Sequence, residues 1–256
     1  FWPGPLTLIL RRAASVPSII AEGMDTVAVR MPAHPVARAL LAAAATPVGA
    51  PSANTFTRPS STTAAHVLED LSGRIDLILD GGPSTIGLES TVLDLTTTPP
   101  RILRPGGITP DMLRRVIPDC DYAPRYLEAD TPTAAPGQLL KHYSPQARTS
   151  IVAGDDVARL VGRMAEEAAM LRDGGQRVAV LVADEDAVSF AAPIDVITLG
   201  PAADLDAVAR TLFAALREAD RRGVDAILVR DFGEAGLGAA LRDRLHRAAE
   251  GRVIRA

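Results

Sequence analysis

An alternation of strand-like and helix-like segments over residues 150–256 is the feature that most constrains how this chain can fold. Apolar runs predict strands at 150–153, 178–182, 196–199 and 226–229. Apolar residues at helical spacing predict helices that start near Asp155, run through Leu205–Ala219 and span Gly238–Ala249. Repeated β and α units form a parallel sheet whose faces are covered by helices. We therefore expect a small Rossmann-like domain in this half.

The composition limits the partners that the chain can have. Its formal charge is −4 and no block of like charge occurs, so nothing provides an electrostatic footprint for nucleic acid, and we expect no stable tRNA binding. No apolar run approaches the roughly 20 residues of a membrane span, and no signal peptide is visible, so we expect no membrane partner. Cys120 is the single cysteine, which excludes an internal disulfide framework and a thiolate metal site. We expect a cytoplasmic protein.

The first half mixes predicted strands with predicted helices. The strands are expected at 26–30, 46–50, 75–80, 90–95 and 100–103, of which the last two form a hairpin. The helices are expected at 35–45, at 62–71 with Ser61 or Thr62 as the cap, and at 111–116. Such a mixture predicts an α/β or α+β domain.

A change in composition marks the boundary between the two halves. Five prolines and several small or polar residues occur from Pro118 to Pro145, which indicates a stiff linker or lid rather than a flexible tether. We accordingly predict a first domain at 1–117, a linker at 118–147 and a second domain at 148–256. The start at Phe1-Trp2-Pro3 is typical of the middle of a domain, so we expect that residues precede it.

Small residues and prolines are concentrated in one segment of the first domain. Val48-Gly49-Ala50-Pro51-Ser52-Ala53-Asn54 is followed by Arg58-Pro59-Ser60. Small residues let a ligand approach the backbone, and proline fixes the local dihedral angles. A loop that follows a strand in this way is a frequent ligand site, although a rigid surface turn would explain the segment alone equally well.

Three further clusters of the first domain have two interpretations each. Arg30 ends a predicted strand and could bind a carboxylate or phosphate through its planar guanidinium, or form an ordinary surface ion pair. Glu89-Ser90-Thr91 could bind a polar ligand or cap a turn. Arg104-Pro105-Gly106-Gly107 could hold phosphates or only turn the chain.

Taken in order along the chain, these segments resemble one family. The segments are Phe1-Trp2-Pro3-Gly4-Pro5-Leu6-Thr7, Val29-Arg30-Met31-Pro32, Ala50-Pro51-Ser52-Ala53-Asn54, Asp80-Gly81-Gly82, Glu89-Ser90-Thr91-Val92 and Leu103-Arg104-Pro105-Gly106. They are similar to the YrdC-type domain of the threonylcarbamoyl-AMP synthase family. Ala135-Pro136-Gly137 with Lys141-His142-Tyr143-Ser144-Pro145 resembles the connector of its two-domain form. The expected fold is therefore a YrdC-like α/β domain with a twisted mixed sheet, followed by the Rossmann-like parallel-sheet domain.

The resemblance implies an activity and a set of site residues. Such enzymes are nucleotidyltransferases that combine L-threonine, bicarbonate or CO2 and ATP into threonylcarbamoyl-AMP and pyrophosphate. A tRNA-modifying transferase complex then uses the product for threonylcarbamoyladenosine modification. Position by position, the resemblance assigns L-threonine to Arg30, Ala50 and Ser90. It assigns ATP to Thr26, Ser52, Ser60, Arg104 and Tyr143, with Asn54 as a supporting residue.

The chemistry of these residues is compatible with adenylation of a carbamate. Such a reaction depends on positioning and on charge stabilisation at the phosphates, so it needs no acid–base dyad. We predict positioning by Arg30, Ser52 and Arg104 and assign no specific catalytic residue. The four histidines have no partners recognisable from the sequence. Mg²⁺ is expected with ATP, held mainly by phosphate oxygens, and no protein metal site is predicted.

One departure from the family pattern affects the expected activity. Family members carry a segment with basic residues before the Trp-Pro-Gly-Pro motif, and this chain has no counterpart of it, so we expect the chain alone to be an inactive fragment. The alternative function is a non-catalytic RNA-binding module of the same fold, which the net negative charge disfavours. A third interpretation is a hydrolase or carbamoyltransferase that acts on another carbamoyl phosphate-like substrate.

Overall fold

The computed structural model describes residues 1–21, 23–123 and 142–256, and within them the strands form two five-stranded sheets. One sheet is mixed and the other is entirely parallel, which confirms the predicted fold class. Most of the predicted linker, including Ala135-Pro136-Gly137 and Lys141, lies outside the described residues. The chain folds into two compact units, and each contains one of the sheets.

The first unit comprises Phe1–Ser52 and residues 88–123 among the described part of the chain. Its strands and helices are β1 (Leu6–Arg11), β2 (Thr26–Arg30), α1 (Pro35–Ala44), β3 (Thr91–Asp94), β4 (Arg101–Arg104), α3 (Pro110–Arg114) and β5 (Asp121–Tyr122). The strand order is β2-β1-β3-β4-β5. β1 runs antiparallel to β2 and parallel to β3, and β3 with β4 forms the predicted antiparallel hairpin.

The first unit has a small apolar core on one side of its sheet. Leu6, Leu93 and Ile102 from three neighbouring strands pack there against Leu113 of α3 and against Cys120. Thr109 caps α3 because its hydroxyl accepts a hydrogen bond from the Met112 N–H, and Pro110 starts the helix where no N–H is required. By contrast, no residue of α1 is buried within the described part of the chain.

The second unit contains a parallel sheet of order β10-β6-β9-β7-β8. Its elements after residue 142 are β6 (Arg148–Ala153), α4 (Val157–Asp173), β7 (Val178–Val182), β8 (Asp195–Thr198), α5 (Leu205–Arg221), β9 (Ala226–Arg230), α6 (Gly238–Ala248) and β10 (Val253–Arg255). The central strands β7 and β9 are buried along their whole length, as expected for a sheet covered on both faces. This confirms the predicted Rossmann-like alternation.

Residues 53–87 also belong to the second unit, although the sequence placed them in the first domain. They include α2 (Ala64–Leu71), which Thr63 caps by accepting a hydrogen bond from the His66 N–H. The predicted caps, Ser61 and Thr62, were therefore wrong by one or two positions. The domain boundaries at 117 and 147 stay a prediction.

Two predicted strands are absent from the described structure. Residues 46–50 and 75–80 belong to no described sheet. Pro47 cannot donate a backbone hydrogen bond, and Leu77 and Leu79 are exposed to solvent. An apolar run becomes a strand only when a neighbouring strand takes its hydrogen bonds. The structure also adds β1, β5 and β10, which were not predicted.

No helix of the described residues combines the length and the apolar character that a membrane span requires.

Candidate functional site

The sheet of the first unit places two arginines and a hydroxyl in one row. Thr7 on β1 pairs with Arg30 on one side and with Val92 on the other, and Val92 pairs with Arg104. Arg30 ends β2 and Arg104 ends β4, as the sequence predicted. With Ser90, which immediately precedes β3, these residues form what we call the arginine–hydroxyl row: Thr7, Arg30, Ser90 and Arg104.

Hydrogen bonds connect three members of this row. The hydroxyls of Thr7 and Ser90 lie 2.7 Å apart. Arg104 donates from Nε and from one terminal nitrogen to the Ser90 carbonyl oxygen, at 3.2 and 3.1 Å. The same terminal nitrogen lies 3.4 Å from Ser90 Oγ. Because Arg104 is only 8% exposed, these bonds hold its guanidinium in one orientation.

Gly106 allows the turn after β4 to lie directly against the Ser90 backbone. A Cβ atom at this position would lie 2.3 Å from the Glu89 carbonyl oxygen and 2.6 Å from the Thr91 nitrogen. Both contacts are to backbone atoms, which cannot move aside cheaply. Gly106 is therefore required for this close packing. The sequence alone had indicated only a rigid turn at this position.

Arg30 provides a second cation near Arg104. Its Nε donates to the Gly4 carbonyl oxygen at 3.0 Å, and no carboxylate among the described residues forms an ion pair with it. Partial burial lowers the pKa of the Arg30 guanidinium, and the positive charge of Arg104 lowers it further, although an arginine remains charged at neutral pH. Two neighbouring guanidiniums without a carboxylate partner at Arg30 favour an anionic ligand.

The other predicted residues of this unit lie apart from the row or in irregular structure. Thr26 begins β2 and pairs with Arg11, so it lies at the far end of the strand from Arg30, about 13 Å along the chain. Ala50 and Ser52 are exposed in the segment without regular secondary structure that follows α1. The structure thus brings together Arg30, Ser90 and Arg104 but does not place Thr26 beside them.

The donor set of the row does not fit a protein-held magnesium ion. Magnesium prefers carboxylate and phosphate oxygens in an octahedral arrangement, whereas the row offers guanidiniums and hydroxyls. No group of three or more His, Cys, Asp or Glu residues suited to a metal occurs in the described ranges. The row therefore fits carboxylate or phosphate groups, and any Mg²⁺ would have to be held by those phosphates.

In the second unit, hydrogen bonds fix the loop formed by residues 53–61, which contains the predicted site residue Ser60. The buried side chain of Asn54 donates to the carbonyl oxygens of Thr55 and Arg58 at 2.9 and 3.1 Å. The Thr55 N–H donates to Asp70 of α2 at 2.9 Å. Asn54 therefore supports the loop from inside.

Tyr143, the predicted connector residue, is buried in the same unit. It is 1% exposed, and its ring lies 5.2 Å from the ring of Phe213 on α5 and 4.0 Å from that of His142. The Arg244 guanidinium lies 5.4 Å from the Tyr143 ring, within cation–π range. Its contact with ATP stays a prediction.

The loop and the connector meet directly within this unit. The Ser144 N–H donates to the Thr57 carbonyl oxygen at 2.7 Å, and the rings of Phe56 and His142 form an edge contact at 6.4 Å. Tyr143 and Thr57 both have positive φ angles, 61° and 69°. Such angles are strained for residues with a Cβ and persist only where neighbouring contacts impose them.

Sequence reasoning missed three residues that contact the proposed site residues or the segments that carry them. Thr7 was noticed only as part of a motif, although its hydroxyl contacts Ser90. Arg217 and Asp220 of α5 were not selected, because the predicted apolar face of α5 ran through Leu212 and Leu216. The signal that could have identified them is a second stripe at helical spacing, in which Phe213 is followed by these two charged residues.

A cavity of about 490 Å³ lies elsewhere in the second unit, beyond the carboxyl ends of β6 and β9. Its lining includes Asp155, Asp231 and Arg242, and Arg242 forms ion pairs with Asp231 and Glu234. None of the residues predicted to bind L-threonine or ATP lines this cavity.

Two family models cover nearly the whole chain. The one described as "Telomere recombination" matches residues 1–106, and the one described as "Threonylcarbamoyl-AMP synthase, C-terminal domain" matches residues 108–250. The described residues form a two-sheet α/β protein in which Arg30 and Arg104 lie in one row across the mixed sheet, at the ends of β2 and β4. The chain belongs to the threonylcarbamoyl-AMP synthase family.

Three relatives that share one name align with nearly the whole of this chain. Threonylcarbamoyl-AMP synthase of Pyrococcus abyssi is 43% identical over 261 residues, which cover 100% of this chain and 73% of the relative. The Bacillus subtilis protein of the same name is 42% identical, with coverage of 100% and 72%. The Schizosaccharomyces pombe protein of that name is 36% identical, with coverage of 97% and 64%.

Solved structures give the same result. The crystal structure of P. abyssi Sua5 complexed with L-threonine matches with a TM-score of 0.93 and 42% identity, covering 100% of this chain and 73% of that one. A structure of a variant of that protein, in which a histidine and the following tyrosine are replaced by alanine, matches with a TM-score of 0.91 and 42% identity, covering 100% and 72%.

Proposed function

We propose that this protein is a nucleotidyltransferase that forms threonylcarbamoyl-AMP and pyrophosphate from L-threonine, bicarbonate or CO2 and ATP. The observation that carries the proposal is the arginine–hydroxyl row, in which Arg30 and Arg104 are the cations and Thr7 and Ser90 are the hydroxyls. The name shared by three relatives and the threonine complex of the P. abyssi protein support it.

The residues of the row have distinct proposed roles. The planar guanidinium of Arg30 binds the L-threonine carboxylate through two parallel hydrogen bonds. The Ser90 hydroxyl contacts the same substrate, and Ala50 provides a small residue next to it. Arg104, held by Ser90, stabilises negative charge on the ATP phosphates.

The proposed reaction has two steps, and the protein contributes mainly positioning to both. The α-amino group of threonine adds to CO2, or to bicarbonate with loss of water, and loses a proton to give a carbamate. A carbamate oxygen then forms a bond to the α-phosphorus of ATP while the bond between the α- and β-phosphates breaks, which releases pyrophosphate. Reactions of this kind need an aligned nucleophile and stabilised phosphate charge rather than a strong base.

We further propose that Thr26, Ser52, Ser60 and Tyr143 contact ATP, that Mg²⁺ is carried by the ATP phosphates, and that the product passes to a tRNA-modifying transferase complex. A cytoplasmic location is part of the same proposal. These assignments rest on the resemblance.

The direct test follows pyrophosphate release by the full-length protein. We expect release only when ATP, L-threonine and bicarbonate are all present, and a product with the mass of threonylcarbamoyl-AMP. L-Serine in place of L-threonine is the matched control for substrate choice. Release without L-threonine, or equal release with other amino acids, would refute the synthase and favour a hydrolase or another carbamoyl transfer. Absence of release together with salt-dependent tRNA binding would favour an RNA-binding module.

A further inference from the structure

We propose that helix α5 of the second unit is a positioning element for ATP, which acts through Arg217 and Asp220. These two residues hold the loop 53–61 and the segment 142–147 in one fixed arrangement, and the proposed ATP contacts Ser60 and Tyr143 lie in those two segments. The inference rests on the proposed function and assigns a role to the second unit in the nucleotide step.

Arg217 is the anchor of the loop. Its side chain is 7% exposed and lies at the centre of a dense set of acceptors. One terminal nitrogen donates to the Pro59 carbonyl oxygen and to an Asp70 carboxylate oxygen, both at 2.7 Å. The other terminal nitrogen donates to the second Asp70 oxygen at 3.0 Å, and Nε lies 3.4 Å from the Ser60 carbonyl oxygen.

This geometry requires an arginine rather than any cation. The two-pronged contact with Asp70 uses both terminal nitrogens, while the carbonyl oxygens of Pro59 and Ser60 are bound at the same time. A lysine has one nitrogen on a flexible stem and could keep the charge without keeping this arrangement. The contacts to two successive carbonyl oxygens fix the backbone at Ser60 itself.

Asp220, one turn further along α5, joins the loop to the connector. One of its carboxylate oxygens accepts from Arg58 at 2.7 Å. The other accepts from the backbone N–H groups of Gln146 and Ala147, at 2.9 and 3.2 Å. The side chain of Asp220 is 9% exposed and that of Arg58 is 27% exposed, so these bonds are partly shielded from water.

Helix α5 makes a third contact, with the backbone at Gly87. The chain returns from the loop region to α5 at Gly87, where a Cβ atom would lie 2.2 Å from the Ala209 carbonyl oxygen and 2.4 Å from the α-carbon of Arg210. Together with the ring contact between Tyr143 and Phe213, α5 touches both segments at several turns. Movement of Ser60 relative to Tyr143 therefore requires that contacts of Arg217 or of Asp220 on α5 break.

The test compares steady-state kinetics of full-length variants. Arg217→Gln and Asp220→Asn are expected to raise KM for ATP about tenfold, because small displacements of positioning groups have large kinetic effects. KM for L-threonine should change less than about twofold. Arg217→Lys should lie between the wild type and Arg217→Gln. Arg163→Gln is the matched control, because it removes another helical arginine paired with a carboxylate, 3.0 Å from Glu167 on α4, and should change neither constant.

The outcomes separate positioning from simple stabilisation. If α5 only stabilised the fold, kcat would fall with the folded fraction measured by circular dichroism while KM for ATP stayed constant, and the proposal would be wrong. An equal rise of both KM values would also overturn it. If Arg217→Gln does not fold, Asp220→Asn decides, since it keeps the shape of the side chain. A wild-type protein without activity would refute the proposed function instead, and ATP affinity from calorimetry would then decide on positioning.

Discussion

The two sheets of this protein differ in how far they are buried. The central strands β7 and β9 of the parallel sheet are buried along their whole length. Of the central strands of the mixed sheet, β3 is buried throughout, whereas β1 and β4 are only partly buried. The parallel sheet needs helices on both faces and gains its stability from apolar burial. The mixed sheet carries the arginine–hydroxyl row of Thr7, Arg30, Ser90 and Arg104. The comparison indicates that apolar burial, and with it stability, is concentrated in the second unit, whereas the proposed L-threonine contacts Arg30, Ala50 and Ser90 lie in the first.

The largest expected effect is on the core of the second unit. Leu212→Ala removes a completely buried side chain from α5 and should lower the free energy of unfolding by about 3.5 kcal/mol, through lost burial and a residual cavity. Urea denaturation measures this. The same exchange at Leu77, which is 75% exposed, should cost less than about 0.5 kcal/mol. Similar losses at both positions would contradict the concentration of stability in the core.

The next effect concerns the packing under the arginine–hydroxyl row. Gly106→Ala forces a methyl group against the backbone of Glu89 and Thr91, and should cost about 3 kcal/mol of unfolding free energy. Pyrophosphate release should be lost even in the fraction that stays folded, because the Ser90 backbone moves. Chemical denaturation and the activity assay measure the two quantities.

Gly162→Ala on α4 is the control for that exchange. A Cβ atom there meets nothing within 4 Å, so alanine should stabilise the helix by about 0.5–1 kcal/mol and leave activity unchanged. A neutral Gly106→Ala variant would show that the close approach beside Ser90 is not required.

Arg30→Ala should weaken threonine binding and leave the free energy of unfolding nearly unchanged. The exchange removes the charge-assisted pair that we propose with the threonine carboxylate, and should weaken threonine binding by about 2 kcal/mol, with a smaller effect on ATP binding. Unfolding free energy should change by less than about 0.5 kcal/mol, because Arg30 remains accessible to solvent at the end of β2. Calorimetric titrations with each ligand test this, and Arg38→Ala on α1 is the control. Equal losses for both ligands would contradict the role assigned to Arg30.

The smallest effect is a pH dependence in the second unit. Burial alone would raise the pKa of the Asp70 carboxyl, but hydrogen bonds from Arg217 and from the Thr55 backbone lower it below its ordinary value. A carboxyl whose pKa is lower in the folded than in the unfolded protein adds stability above about pH 4, and this contribution is lost as the pH falls through the folded value.

Asp70→Asn should therefore make the decline of stability below about pH 4 less steep than in the wild type. Thermal unfolding measured across that range tests the difference. Asp173→Asn on α4, where the carboxylate is 70% exposed, is the matched exchange and should leave the curve unchanged. Parallel curves for the wild type and Asp70→Asn would show that the buried pair does not contribute to acid stability.

Local sequence patterns predicted most elements of the second unit. The strands at 178–182 and 226–229 and the helix through Leu205–Ala219 were confirmed within a few residues, because each buried strand and amphipathic helix carries its own periodicity. The strands predicted at 46–50 and 75–80 were wrong, since pairing depends on a neighbour that a local pattern does not reveal. β10 was missed for the same reason.

The candidate site was predictable only in part. Arg30, Ser90 and Arg104 were selected because each ends or precedes a strand segment and lies in a recognisable motif. That they share one row with Thr7 depends on strand order, in which β1 lies between β2 and β3. The roles of the predicted L-threonine and ATP contacts stay predictions.

By itself, the amino-acid sequence determined the alternation of elements, the apolar core of the parallel sheet and the motifs that identify the family, because these depend on residues near one another in the chain. Only the tertiary structure decided that residues 53–87 pack with the second unit, and that Arg217 and Asp220 hold the Ser60 loop and the Tyr143 segment. Those contacts join residues separated by 74 to 162 positions. Their energy comes from burial and charge pairing, which exist only after the helix and the loop have met.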